Sequence, residues 1–212
     1  MKPRQRIIKR ATDIAISLFV LALSSPLFLL LLLAVRLDSR GGALFRQARV
    51  GRDGKLFTIY KLRTMVANAA DLRNPDGSTF NAERDPRITR VGRLLRRTSL
   101  DELPQLINVL KGDMSIVGPR PDLPDQVRYY TDRQKKRLAV KPGLTGWAII
   151  HGRNNLPWET RRELDVQYVE SYSLWLDCLI LLRTLALVLA RKGVYIPPPA
   201  HQSSFGSKDA GS

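Results

Sequence analysis

The chain has 212 residues and carries 35 Lys and Arg against 19 Asp and Glu, a formal net charge of +16. That length holds one ordinary domain plus an appendage, and the charge points to anionic partners such as nucleic acid, lipid headgroups or phosphorylated small molecules. A single cysteine, Cys178, excludes an internal disulfide; with only His151 and His201 beside it, it argues against a zinc site, and neither a Walker A motif nor GxGxxG is present.

Residues 14–35, IAISLFVLALSSPLFLLLLLAV, form 22 uncharged, mostly apolar positions. At ~1.5 Å per residue they are long enough to cross a bilayer core as one helix. The run is longer than a signal-peptide core, and no small-residue cleavage site follows it. Pro26 has no N–H for the Ala22 carbonyl and disfavours helical geometry at Ser25, although Ser24 and Ser25 offer hydroxyls to the freed backbone. Both flanks are basic, with Lys2, Arg4, Arg6, Lys9 and Arg10 before and Arg36, Arg40, Arg46, Arg49, Arg52 and Lys55 after. The positive-inside tendency therefore asks for both ends on one side of a membrane. The expectation is a re-entrant helix that breaks at Ser25-Pro26, with arms of about ten residues, or ~15 Å, each.

Residues 43–65 alternate apolar and polar positions about Asp53-Gly54, which predicts a β-hairpin. Residues 67–89 are rich in turn formers and read as a loop. RITRVGRLLRRTSLDELPQLINVLKGDMSIVGPRPD predicts two short helices followed by a stiff Gly-Pro-Arg-Pro loop. Residues 124–138 read as a polar helix, VKPGLTGW as a turn-rich connector and 158–171 as another helix. SLWLDCLILLRTLALVLARKG forms an apolar helix interrupted by Asp177 and Arg183, too short in its uncharged run to span. Its polar positions Asp177, Thr184 and Arg191 recur every seven residues and leave a broad apolar face, suited to a core or to a lipid interface. Residues 194–212 are rich in Pro, Ser and Gly and are expected to be disordered.

TSLDELPQL, residues 98–106, places Asp101 and Glu102 side by side in this basic chain. Ser99-x-x-Glu102 fits a helix capping box, and acids suit a first helical turn. Arg84, Arg87, Arg90, Arg93, Arg96 and Arg97 precede the pair and Arg120 follows it. The arginine run also fits a solvated or headgroup-facing surface. A guanidinium in a Gly-Pro-Arg-Pro loop is, however, preorganised to grip phosphate oxygens, and a carboxylate among such groups can bind Mg²⁺ or attack phosphorus.

The segments KRATD, SSP, GKLFTIYKLRTM, RRTSLDELPQLINVLKGDMSIVGPRP, KPGLTGWA, GRNN and ELDVQYVESYSLWLDCLILLRT closely resemble the bacterial monotopic phosphoglycosyl transferases, also called polyprenyl-phosphate sugar-phosphate transferases or bacterial sugar transferases. The resemblance runs from about Lys9 to Gly193. It implies transfer of a sugar-1-phosphate from a UDP-sugar to polyprenyl (undecaprenyl) phosphate with release of UMP, the first membrane step of glycoconjugate biosynthesis. It implies Asp101 as covalent nucleophile and Mg²⁺ ligand, Glu102 as its partner and Arg120 as a phosphate ligand. Lys61, Arg63, Arg96 and Arg153 within the matching segments are further candidates for phosphate or substrate binding. Lys9-Arg10 and Ser25-Pro26 correspond to the family's membrane-hairpin motifs.

The implied fold is α+β and predominantly helical: residues 1–40 a basic N-terminus and re-entrant hairpin, residues 41–193 a cytoplasmic catalytic domain docked on the membrane with a small β-hairpin and interfacial amphipathic helices, and 194–212 a tail. The implied location is the cytoplasmic face of the bacterial inner membrane, with membrane lipids as partners, no nucleic acid, and a homodimer left open. Larger members carry an N-terminal multispan region, so the layout expected here is the small form. Many members read Gly-Trp-Ala-Gln-Val-Asn-Gly-Arg where this chain has GWAIIHGR, so Ile149 and His151 replace polar side chains. A membrane-anchored basic adaptor that binds anionic lipid or nucleic acid without catalysis is the rival reading. It accounts for the charge and the hairpin and leaves the Asp-Glu pair and the GPRP loop as caps and turns.

Overall fold

In the computed structural model, which describes residues 3–74, 79, 80, 82, 85–152 and 155–190, the apolar N-terminal run lies within a single helix, α1, Pro3–Asp38. The separation into two helices expected at Ser25-Pro26 does not occur, because the ladder is repaired by side chains. Ser25 Oγ donates at 2.9 Å to the Ala22 carbonyl that Pro26 cannot serve, and Ser24 Oγ donates to the Val20 carbonyl at 2.6 Å. Leu18, Phe19, Leu23, Leu29, Leu30 and Leu33 are exposed along this helix. Its other face packs on the domain along its length, Ile16, Val20 and Leu21 against one core cluster and Phe28, Leu31 and Leu32 against a second, and polar contacts dock both of its ends on the same domain.

At the start of α1, the buried Asp13 accepts from Ser115 Oγ and from the Ile116 N–H at 3.1 and 3.0 Å. At its end, the buried Arg63 guanidinium donates to the carbonyls of Val35, Ser39, Arg40 and Gly41. Val35 is one of the last four helical carbonyls, which have no partner inside the helix, and the other three belong to the chain just past its end. Asp38 completes the joint by accepting from the Val91 N–H at 2.9 Å.

The hairpin forms as the alternation predicts. β1, Leu44–Val50, pairs antiparallel with β2, Leu56–Leu62, in the register Val50↔Leu56 to Leu44↔Leu62. Asp53 and Gly54 adopt φ of 56° and 76°, the left-handed turn for which Gly and Asp are suited. Ile59 on β2 enters one core cluster with Leu106, Val109, Met114, Val117, Tyr168 and Ile180. Leu62, three residues on, enters a second with Val35, Ala43 and Leu95. The hairpin thus joins the packing around the two ends of α1.

α2, Arg90–Thr98, begins at an N-cap Thr89 whose hydroxyl accepts from the Gly92 N–H. It lies directly on the chain leaving β2: a Cβ on Gly92 would sit 2.1 Å from the Thr64 carbonyl oxygen. A 3₁₀ turn, Leu100–Glu102, leads into α3, Gln105–Lys111. Buried Asn108 of α3 accepts from the Tyr60 N–H and donates to the Thr58 carbonyl, fastening α3 to the free edge of β2.

β3, Ser115–Val117, pairs in parallel with β4, Gly143–Thr145. The turn-rich connector reading of VKPGLTGW missed this pair, because a three-residue strand has no measurable alternation and its partner lies far away in sequence. The backbones meet so closely that a Cβ on Gly143 would lie 2.1 Å from the Gly118 nitrogen. The single helix expected over 124–138 is instead α4, Pro124–Val127, α5, Asp132–Lys135, and a 3₁₀ turn, Lys136–Ala139. Thr131 restarts the chain with a capping box on Gln134, which ends the first helix before it can continue.

α6, Trp147–Ile150, and α7, Trp158–Glu170, follow. α8, Leu174–Ala190, has the opposite polarity to a core helix. Asp177 and Ile180 are buried, and Thr184 Oγ1 meets Thr145 Oγ1 at 2.6 Å. Trp175, Leu182 and Leu185 are 77%, 68% and 60% exposed. Asp177 and Thr184 of the polar repeat therefore face the protein together with Ile180, while Trp175, Leu182 and Leu185 face outward. Residue 191 and the tail expected over 194–212 lie outside the described residues.

Arg63→Met removes a charged donor from the carbonyls that end α1. The expected loss is about 1.5–3 kcal/mol, the range for hydrogen bonds to charged groups, read as a lower thermal midpoint in detergent micelles.

Candidate active site

Ser99 ends α2 in the left-handed region, φ 58° and ψ 17°, and turns the chain back toward β2. For a non-glycine residue this conformation costs of order 1 kcal/mol, and such strain concentrates at functional sites. Ser99 makes no side-chain cap to the following turn, so the capping box suggested by Ser99-x-x-Glu102 is not formed. Glu102 is engaged elsewhere. Its Oε1 accepts from Lys61 Nζ at 2.9 Å and from Arg120 Nη2 at 2.6 Å. One carboxylate oxygen thus ties β2, the 3₁₀ turn and the Gly-Pro-Arg-Pro loop together.

The two acids are electrostatically unequal. Burial works against ionised Glu102, but Arg120 and then Lys61 outweigh it, and its pKa falls well below the usual carboxylate range. Burial pushes Asp101 the other way, to about 6, with the opposing pull of Lys61 and a further push from the Glu102 charge. No hydrogen bond to the Asp101 carboxylate is found among the described residues. The site therefore contains one locked carboxylate and, beside it, one partly exposed carboxylate with both oxygens available.

Arg96, one helical turn beyond Gly92, donates from Nε to Thr64 Oγ1 at 2.9 Å and adds positive charge near Asp101. The rest of the arginine run points elsewhere. Arg87 forks onto buried Asp85, and Arg90, Arg93 and Arg97 are exposed. Arg84 and Arg153 lie outside the described residues.

Arg63, expected as a substrate cation, is not brought to the carboxylates, because its guanidinium is occupied by the end of α1. Lys9 pairs with Asp177 at 2.6 Å, and Arg10 donates to the Val109 and Leu110 carbonyls at the end of α3. Both fasten α1 rather than line the site. Burial raises the pKa of Asp177 while Lys9 and the Tyr168 hydroxyl, 2.7 Å from Oδ1, oppose it. His151 lies against Trp147, ring centroids 4.2 Å apart and tilted by 57°.

Arg49 was not singled out by sequence reasoning. It donates to the Pro121 carbonyl at 3.1 Å, and desolvation, with the charge of Arg120 next in weight, depresses its pKa to about 10. Its position on a hairpin strand gave no signal, since an outward arginine on β1 is equally at home in solvent.

Mg²⁺ is commonly held by one or two carboxylates, with water and substrate phosphates in the remaining positions. The two available Asp101 oxygens suit that donor set.

A family model described as bacterial sugar transferase matches residues 4–191. The chain is 47% identical over 188 residues to an uncharacterized sugar transferase, EpsL, of Bacillus subtilis (strain 168), covering 89% of this chain and 90% of that protein. It is 44% identical over 205 residues to the undecaprenyl-phosphate galactose phosphotransferase of Salmonella typhimurium (strain LT2), covering 92% of this chain and 43% of that one. It is 42% identical over 198 residues to the UDP-glucose:undecaprenyl-phosphate glucose-1-phosphate transferase of Escherichia coli (strain K12), covering 90% and 42%. The chain thus spans less than half the length of the latter two.

The inequality of the acids is directly measurable. A carbon-13 carboxyl titration should find Asp101 near 6. Glu102→Gln should lower that value by removing a neighbouring negative charge, and Lys61→Met should raise it by removing a positive one. An Asp101 that titrates near the ordinary aspartate value of ~3.9, indifferent to both changes, would contradict this electrostatic description.

Proposed function

The chain belongs to the bacterial sugar transferase family, and from that membership and the geometry above we propose that it moves a sugar-1-phosphate from a UDP-sugar to polyprenyl (undecaprenyl) phosphate. The observation that carries this reading is the available Asp101 carboxylate beside a Glu102 held by Lys61 and Arg120. In a site built for capping, Glu102 would reach back to the turn instead. The names of the Salmonella and Escherichia coli relatives support undecaprenyl phosphate as acceptor, and the latter supports a UDP-sugar as donor.

Above its pKa of about 6 Asp101 is ionised and needs no base. Its difficulty is repulsion by the anionic oxygens around phosphorus, which Arg120, Lys61 and Arg96 offset in a partly desolvated recess. In the first step an Asp101 oxygen bonds to the β-phosphorus. The bond to the bridging oxygen breaks, and UMP leaves with that electron pair. In the second step an oxygen of polyprenyl phosphate attacks the acyl phosphate, Asp101 leaves as carboxylate, and polyprenyl diphosphate-sugar forms. A diphosphate is exchanged for a diphosphate, so no ATP is consumed. Mg²⁺, when bound through Asp101 and the substrate phosphates, would supply further neutralisation of phosphate charge. The locked Glu102 keeps the two cations in place for the incoming phosphate.

The same proposal seats α1 in the cytoplasmic leaflet of the bacterial inner membrane as one continuous helix with both of its ends on the same side, and the catalytic domain on the cytoplasmic face. Three observations support it: an apolar helix that is largely uncovered, its two ends docked on one domain, and an α8 whose apolar side faces outward. The adaptor reading has no use for an unpaired carboxylate next to a doubly clamped one.

Enzyme mixed with a competent UDP-sugar and no lipid should release about one UMP per Asp101, the burst that marks a covalent intermediate. The peptide containing Asp101 should gain the mass of a phosphosugar, and Asp101→Asn should abolish both signals. Full turnover by Asp101→Asn would sink the mechanism. In a Cys178→Ser background, thiols introduced by Arg4→Cys and Arg46→Cys should react with an impermeant reagent from the same side of sealed vesicles. Labelling from opposite sides would replace this one-sided arrangement with a span.

A further inference from the structure

Arg120 can present its guanidinium to an anion only if its backbone is fixed, and the residues around it hold nearly every polar group of that backbone. The Gly118 N–H bonds the Thr145 carbonyl at 2.9 Å, and the Pro119 carbonyl accepts from the Gly143 N–H at 2.8 Å. The Pro121 carbonyl accepts from Arg49, and the Asp122 carbonyl from the Val50 N–H at 3.0 Å. The Arg120 unit itself is held by α7 and the 3₁₀ turn before β4. Its carbonyl accepts from Arg137 Nη2 at 2.8 Å, and its N–H faces the Asp165 carboxylate.

Arg137 is 4% exposed and makes a set of contacts well beyond what packing needs. Nη2 also donates to Asp165 Oδ2 at 2.5 Å, and Nη1 donates to Asp122 Oδ2 at 2.5 Å and to the Tyr130 hydroxyl at 2.6 Å. The Tyr130 hydroxyl in turn donates to Asp122 at 2.5 Å. A buried ion cluster of this kind is seldom a net gain for stability over apolar packing. Its geometry favours a different purpose: a planar fork meets the acids on both sides of Arg120 and the carbonyl of Arg120 itself.

We propose that Arg137 is a positioning residue for phosphate recognition, acting through the Arg120 main chain to hold the Arg120 guanidinium against Glu102 and the diphosphate of the donor. The identity of that anion rests on the transfer reading above. Lysine cannot replace Arg137 in this role, since a single ammonium does not span Asp122, Asp165 and the carbonyl together. A displacement of about 1 Å at a group that grips substrate can cost on the order of 100-fold.

The test is a double-mutant cycle with Arg137→Lys and Arg120→Ala, read by UDP affinity in calorimetry and by UMP release. In the Arg120 background Arg137→Lys should weaken UDP binding and slow UMP release by about 10- to 100-fold. In the Arg120→Ala background the same change should have little effect, because the side chain it positions is gone. Asp165→Asn should repeat the pattern should Arg137→Lys fail to fold. Equal losses in both backgrounds, or unchanged UDP affinity, would show a purely structural role and overturn the proposal. If the wild-type protein binds UDP with this coupling yet releases no UMP from any UDP-sugar, the positioning role stands and the transfer reading falls.

Discussion

The structure turns on one oxygen atom. Glu102 Oε1 receives both the Lys61 ammonium and the Arg120 guanidinium, which joins a hairpin strand, a 3₁₀ turn and a loop at a single charged point. An anion shared by two cations leaves net positive charge around it. That surplus is what a diphosphate requires and what an isolated surface glutamate could not organise. It also separates the duties of the neighbouring acids: the one that is bonded keeps the cations in position, and the one that is not bonded remains available to react. Breaking the clamp would release two cations onto Asp101 and erase the distinction.

Around that point the protein is anchored twice. Asp13, Lys9 and Arg10 fix the start of α1 to β3, α8 and the end of α3, while Arg63 and Asp38 fix its end. α8 extends the uncovered apolar surface with an outward face of Trp175, Leu182 and Leu185. A soluble core helix would turn those residues inward and leave Asp177 to water. Here Asp177 is buried against Lys9 and Tyr168, an arrangement favoured when the outside offers no better solvent for a carboxylate than the inside does.

Much of this was legible in the sequence where the physics is local. The Asp53-Gly54 turn, the short helices around Asp101-Glu102 and the stiff proline loop follow from turn chemistry and periodicity. The resemblance brought Asp101, Glu102, Lys61 and Arg120 together before any coordinates did. What escaped was long-range. Lys61 and Arg63 are two residues apart in one motif, yet one meets Glu102 and the other meets the end of α1, partners that lie far from both in sequence. The β3–β4 pair was invisible because three residues carry no alternation. Ser99-x-x-Glu102 looked like a cap, but Lys61 and Arg120 offered its carboxylate stronger partners. Asp177 and Thr184 of the α8 repeat both face the protein, a direction that for Asp177 depends on a lysine far upstream.

Asp13 carries a consequence for the order in which the protein is made. Its partners Ser115 and Ile116 lie 102 and 103 positions downstream. At bacterial elongation speeds of ~5–20 residues per second, the ribosome delivers α1 roughly 5–20 s before the strand that will receive it. The apolar helix is therefore complete, with the Asp13 carboxylate still without its partners, before β3 exists. The contact of Asp13 with Ser115 and Ile116 is thus one that only a nearly finished chain can make, so closure of the domain on α1 comes late in synthesis.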